Sequence, residues 1–313
     1  SKHRSNPMGR LTEASGVICN YAAPEVIRGR AQYLKYVDFF SLGLTVYTME
    51  IGTPLFTEDR DEYDSLKITE MIENTRPDIK ELLGALLHQT PATRFKDASK
   101  YFACKPIDIP PLDEPLGNSV NEETEGVYKP KHSILKDSSE KCKLQDFKRF
   151  NDQIWQVQFG SVYIVKHRNS GKMYLVKQIT PFATKNDQEK IQNEENIRSK
   201  MMNHPNIAKF YCTMVSDKNV VYFLFEYLEG GDTLENKISQ RHKDKGVEVD
   251  KPAFLVDEIQ RIALDIFNAL CSLHGNKTII HRDVRPATIF VTENHEAKLF
   301  DFAISKQPQN RKG

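Results

Sequence analysis

Two aspartates in the last tenth of the sequence stand among neighbours that suggest chemistry rather than solvation. Asp283 follows His281-Arg282 and runs on into Val284-Arg285-Pro286-Ala287-Thr288-Ile289-Phe290. Asp301 comes eighteen residues later, closes a short apolar run, and is followed by Phe302-Ala303. A third group, Lys177, ends the run Tyr174-Leu175-Val176-Lys177. A cation to hold phosphates, a carboxylate to hold magnesium and another to orient an acceptor hydroxyl are the parts phosphoryl transfer needs. Singly each is weak. A lone His-Arg-Asp is usually surface loop, and a lone strand lysine is usually solvated.

The surrounding patterns say what would position them. Ile259, Ile262, Ala263, Ile266, Leu270 and Leu273 recur at helical spacing ahead of Asp283. Residues 160–165 and 172–179 read as strands joined by a turn at Asn169-Ser170-Gly171, and 220–225 reads as another strand ended by Gly230-Gly231. Residues 186–202 suit a helix. Val37 to Ile51 is apolar nearly all round, which predicts a helix buried on every side. Residues 64–102 read as helices with short proline-containing breaks. Residues 1–20 read as loop, and 105–144, rich in proline and charge with few aromatics, as a linker.

Composition narrows the classes. The 313 residues are 39% hydrophobic and 28% charged, an ordinary globular balance. A net charge of +1 gives no electrostatic footprint for nucleic acid or a membrane surface. No apolar run could span a bilayer, and Ser1-Lys2-His3-Arg4 leads into no apolar signal-peptide core. Five scattered cysteines, none in C-x-x-C, read as reduced thiols of a cytoplasmic protein.

Taken together the motifs resemble those of the eukaryotic protein kinase superfamily, of Ser/Thr-kinase type. His281-Arg282-Asp283 resembles the catalytic loop and Asp301-Phe302-Ala303 the metal-binding DFG segment. Tyr174 to Lys177 is similar to the V-A-I-K strand, and Phe225-Glu226-Tyr227-Leu228 to the gatekeeper and hinge. Tyr21-Ala22-Ala23-Pro24-Glu25 resembles A-P-E, Asp38 to Gly43 the start of the buried central helix, and Pro91-Ala92-Thr93-Arg94-Phe95 the late arginine motif. The resemblance implies a bilobal α+β fold, with a small β-rich lobe holding one helix and a mainly helical large lobe. It also implies ATP and magnesium as cofactors and a protein as substrate or partner.

By that resemblance Asp283 orients the substrate hydroxyl, Arg285 stands for the loop lysine, and Asp301 chelates magnesium with Thr288 beside it. Lys177 would pair with the nucleotide phosphates, under Gly160 and Val162 of the phosphate-covering loop. Its own partner is Glu194 by the apolar phase of Ile197 and Met201, or Glu195 by the spacing to His204-Pro205-Asn206-Ile207; both stay open. Glu226 and Leu228 would meet adenine and Asp232 the ribose. Glu25 should pair with Arg94, and Asp38 should bond the catalytic-loop backbone. Thr12 and Ser15 lie where an activation-loop phosphosite could sit, with Arg282 to receive the phosphate.

The order is unusual. Residues 1–117 resemble the second half of a large lobe, 118–144 a linker, 145–228 the small lobe and 229–313 the first half of the large lobe. One reading is a circular permutant broken in the activation loop, an exposed position that tolerates cutting. The linker could extend roughly 90 Å at about 3.3 Å per residue, enough to join the old ends. The other reading is one period of a tandem array. The preferred permutant reading predicts Asp38 against the 281–283 loop of the same chain.

Several positions depart from the family. Aligned on Gly160, the first two loop glycines are Trp155 and Val157, which should hinder backbone approach to phosphates. The catalytic-loop Asn is Thr288, a poorer magnesium ligand, and the DFG glycine is Ala303. Val17 and Ile18 replace the usual Gly-Thr before A-P-E. The expectation is a pseudokinase acting as a binding or scaffold module with residual nucleotide binding. The alternative is a weakly active Ser/Thr kinase, since Lys177, Asp283 and Asp301 remain.

Overall fold

The computed structural model describes residues 19–27, 34–56, 65–102, 130, 142–157, 159–179, 185–200, 203–244, 253–275 and 279–307. Thr12, Ser15, Val17, Ile18 and nearly all of the 118–144 linker lie outside them. The described residues divide into two compact units. One comprises those up to 102 with 200–209 and 228–307; the other comprises 130–199 and 210–227.

The first unit is mainly helical. After a single turn, α1 (Pro24–Ile27), come α2 (Leu34–Ile51), α3 (Ser65–Glu73), α4 (Pro77–Leu86) and α5 (Pro91–Tyr101). Both α4 and α5 start with proline at the first helical position, where its missing N–H costs nothing. Helix α2 is enclosed as its composition predicts: Phe39, Phe40, Leu42, Leu44, Val46 and Met49 are all buried. It packs on α4, α5 and α8 (Val256–His274). A Cβ at Gly43 would come within 2.7 Å of the Leu87 side chain, so glycine there lets the α4 end approach α2. All six apolar residues read at helical spacing in α8 are buried. Phe39, Phe95, Phe102 and Phe267 join α2, α5 and α8 through ring contacts. A short helix, α7 (Leu234–Asp244), and a three-stranded sheet, β6 (Asp232–Thr233), β7 (Ile289–Val291) and β8 (Ala297–Leu299), complete this unit.

The segment at 203–209 runs along β8: the Ala208 N–H donates to the Leu299 carbonyl and the Leu299 N–H to the Asn206 carbonyl. The Asn206 side chain donates to the Ala297 carbonyl, and Asp265 of α8 accepts from the Ala297 N–H. Burial, with Lys298 nearby, pushes the His204 imidazole down to about 4, so this ring is held neutral.

The second unit is a five-stranded antiparallel sheet, order β1-β2-β3-β5-β4, with one helix. Its strands are β1 (Phe147–Val157), β2 (Gly160–His167), β3 (Met173–Ile179), β4 (Phe210–Val215) and β5 (Val221–Glu226); the helix is α6 (Lys185–Lys200). The mixed α+β architecture agrees with the predicted fold class. In the β1–β2 ladder residues 150–153 stand opposite Ile164 alone, a bulge that leaves Phe150 exposed.

The reduced-thiol expectation is corrected here. Cys142 and Cys212 form a disulfide across 70 residues of sequence. Both sit in a cluster with Phe147, Val165, Val176, Met214 and Leu224. The sheet topology, not any local spacing, brings them together. No described helix is long and apolar enough to cross a membrane.

Candidate active site

In the helical unit the 281–283 segment hangs from α2. Asp38, fully buried, accepts the His281 and Arg282 backbone N–H groups at 2.8 Å each, and lies 2.7 Å from His274 Nε2. Burial pushes its carboxyl up, but the hydrogen bonds and the His274 and His281 rings outweigh that and hold it below the usual carboxylate range. The contact expected between Asp38 and the 281–283 loop is present; His274, at the end of α8, is a partner that sequence reading missed. Arg282 adopts φ +71°, a left-handed backbone that the two bonds to Asp38 hold in place.

Asp283 is buried, and its Oδ1 accepts from Arg285 Nε at 2.8 Å. Arg285 therefore holds the carboxylate that the resemblance assigns to the hydroxyl. Thr288 closes the loop. Its hydroxyl lies 2.6 Å from the Asp283 carbonyl and 3.0 Å from that of Arg285, and it accepts the Arg285 N–H at 3.3 Å. Such a hydroxyl braces the loop from inside, which suits a metal ligand poorly.

Asp301 follows β8, is 1% exposed, and accepts the Ala303 N–H through Oδ1. The Phe302 ring meets His281 edge-on at 4.8 Å. Ile280 and Lys306 exchange backbone hydrogen bonds, and the Ser305 hydroxyl donates to the His281 carbonyl. The segment after Asp301 and the 280–283 segment are thus tied together. Asp232 accepts from the Thr233 N–H and the Asn236 amide, so one of its oxygens braces the start of α7. Leu228 is buried, and its carbonyl accepts the Gly231 N–H in the turn before β6. Tyr21 packs on α2: its carbonyl accepts from the Ser41 hydroxyl, and Glu25 meets Arg94.

In the strand-rich unit Lys177 lies on β3, fully buried, with Nζ 3.0 Å from both oxygens of Glu194. The open choice resolves to Glu194. Glu195 is also buried, but turns to β4 and accepts from the Thr213 hydroxyl at 2.7 Å. Gly160 is required by packing on β3: a Cβ there would lie 2.1 Å from the Gln178 carbonyl oxygen. Trp155, 3% exposed, and Val157 continue the β1–β2 ladder opposite Val162 and Gly160. The turn that follows holds Phe159 at φ +62°, with Lys190 over its ring. Val162 is fully buried opposite Lys177, and Glu226 ends β5 opposite Tyr174.

The protein kinase domain family matches residues 5–103 and 149–313. The chain belongs to the protein kinase family. It is similar to Aurora kinase of Saccharomyces cerevisiae, 35% identical over 173 residues, which is 54% of this chain and 43% of the relative. It resembles serine/threonine-protein kinase Nek2 of Mus musculus at 28% over 155 residues, 47% of this chain and 33% of that protein. It resembles serine/threonine-protein kinase sgk-1 of Caenorhabditis elegans at 24% over 277 residues, 84% of this chain and 55% of the relative. The chain thus spans about a third to just over half the length of these kinases.

Protein kinase domains in general use ATP and magnesium, so the residues present bear on that chemistry. Asp301 offers the hard carboxylate oxygen that magnesium prefers. Among the described residues no group of three or more His, Cys, Asp or Glu side chains is arranged to hold a metal ion. The Thr288 hydroxyl is already engaged by the Asp283 and Arg285 carbonyls.

Proposed function

We propose that this kinase domain is a pseudokinase, a protein-binding scaffold that retains a nucleotide rather than turning it over efficiently. The observation that carries the reading is Thr288. Its hydroxyl is drawn into backbone hydrogen bonds of the catalytic loop where the family places a metal-binding amide. The bulky Trp155 and Val157 in place of loop glycines support it. In this reading Lys177, oriented by Glu194, holds the ATP phosphates, and Asp301 would hold magnesium, which supplies charge neutralisation when bound. Glu226 and Leu228 offer backbone to adenine, Asp232 the ribose contact, and Gly160 and Val162 the cover. Asp283, held by Arg285, points an acceptor hydroxyl.

The test is ATP-dependent phosphorylation of a generic protein substrate, with and without magnesium, beside Asp283→Asn. We expect no incorporation above the Asp283→Asn control, and a thermal shift with ATP. Magnesium-dependent phosphorylation abolished by Asp283→Asn would instead establish the second reading, a weak Ser/Thr kinase. That reading is favoured by the intact Lys177–Glu194 pair and by the retained Asp283 and Asp301. The cytoplasmic placement rested on unpaired thiols, and the disulfide removes that ground.

We also read the chain as one kinase fold permuted at the activation loop, with 118–144 as the joining linker. Bonds from the 281–282 backbone to Asp38, and packing of α2 on α8, support it. Sedimentation should give a monomer at all concentrations. A concentration-dependent dimer, with Asp38 pairing in trans, would favour the tandem-array reading.

A further inference from the structure

Glu194 has a second cation. Arg198, one helical turn along α6, donates to Glu194 Oε1 through Nε at 2.9 Å and Nη2 at 2.7 Å. Lys177 reaches the same oxygen and its partner Oε2 at 3.0 Å. All three groups are buried: the side chains of Lys177, Arg198 and Glu194 are 0%, 1% and 3% exposed. The Arg198 guanidinium also lies 4.4 Å from the centroid of the Phe225 ring on β5. Phe225 is fully buried, packs against Phe210, and stands opposite Leu175, two residues before Lys177.

A guanidinium stays charged even when buried, so it needs anionic and aromatic neighbours to offset its lost hydration. Glu194 and Phe225 are those neighbours. The order Glu then Arg at i and i+4 is also the favourable one along a helix. With a lone lysine–glutamate pair, the glutamate is placed only as firmly as the lysine that meets it. Here two N–H groups from Glu194's own helix hold Oε1, and the same guanidinium lies on a strand of the sheet. Lysine could not supply both the fork and the flat stacking face.

We propose that Arg198 is a positioning residue: it fixes the Glu194 carboxylate and clamps α6 to β5, so that the phosphate-holding Lys177 is assembled before any nucleotide arrives. The inference rests on the reading of Lys177 as the nucleotide-phosphate cation. Its structural half, the clamp, stands without it.

The experiment uses the full chain with Arg198→Met, Arg198→Lys, Phe225→Leu and Lys177→Met. Hydrogen exchange of residues 188–199 without nucleotide reads the clamp, and calorimetric titration with ATP reads the site. With Lys177→Met, α6 should keep its protection to within about twofold, because Arg198 still holds Glu194. With Arg198→Met, α6 exchange should rise and ATP affinity fall, each about tenfold, a coupling of about 1.4 kcal/mol. Arg198→Lys should not restore either. Phe225→Leu, which leaves all charges in place, should loosen α6 by a smaller factor; this variant keeps the test alive should Arg198→Met fail to fold. The proposal is overturned if Lys177→Met frees α6 as much as Arg198→Met does, or if Arg198→Lys behaves as wild type. Should the wild-type chain bind no ATP, the nucleotide reading fails, while the exchange comparison still decides the clamp.

Discussion

Reducing the Cys142–Cys212 disulfide is expected to destabilise the strand-rich unit by about 4 kcal/mol, the loop-closure entropy of a cross-link spanning this length of chain. Cys142 precedes β1, one edge strand of the sheet, and is bonded to Cys212 on β4, the edge strand on the other side. The bond therefore staples the segment entering the sheet to its far side. Cys212 is fully buried and Cys142 nearly so, which leaves little room for relaxation once the sulfurs part. The two thiols would remain apolar enough to stay in the cluster, so most of the loss comes from the freed unfolded chain rather than from lost packing. The urea midpoint with and without reductant measures this, against Cys142→Ala. Reduction of the variant should change nothing further, because the cross-link that reductant would break is already gone. An unchanged midpoint for the wild-type chain under reductant would show that the bond carries no stability.

Replacing Arg94 by Met is expected to cost the helical unit about 3–5 kcal/mol, because it strands the buried carboxylate of Glu25. Arg94 is fully buried and makes a two-pronged pair with Glu25, Nη1 to Oε1 at 2.5 Å and Nη2 to Oε2 at 3.1 Å. Its Nε donates to the His88 carbonyl at 2.7 Å, and its guanidinium lies over the Phe40 ring. It thus ties α1, the α4–α5 connection and α2 together. Arg94→Lys should recover less than half of the loss, since an ammonium cannot reproduce the fork. The double change Glu25→Met with Arg94→Met should cost less than either single change, because no charge is left unpaired. Denaturant unfolding of the four proteins closes the cycle, and additive losses would refute a coupled pair.

The parts of the fold that could be read in advance are those whose periodicity reports burial directly. Helix α2 is apolar on every side because it is enclosed on every side, and the α8 stripe faces α2 and the core. Strand β1 was hidden, since its sequence FKRFNDQIWQV places charges and amides on a largely exposed edge. The choice between Glu194 and Glu195 was hidden for a different reason. Both carboxylates are buried, one facing β3 and the other β4, and the two sequence signals disagree: apolar phase favours Glu194, and spacing to His204 favours Glu195. Arg198 carried a visible signal, the i, i+4 relation to Glu194. Its burial comes from β5, which is remote in sequence. The disulfide carried no signal, because only strand order makes its cysteines neighbours.

The bulge at 150–153 has a consequence for what the outer strand can do to other molecules. A straight edge strand offers an unbroken row of backbone donors and acceptors, on which another chain can lay a strand of its own. With four residues opposite one, the row on β1 is bent out of register midway, and Lys148, Arg149 and Asp152 stand exposed along it. The sheet therefore presents a broken, charged margin on this side, a poor template for a neighbour to extend into a fibre.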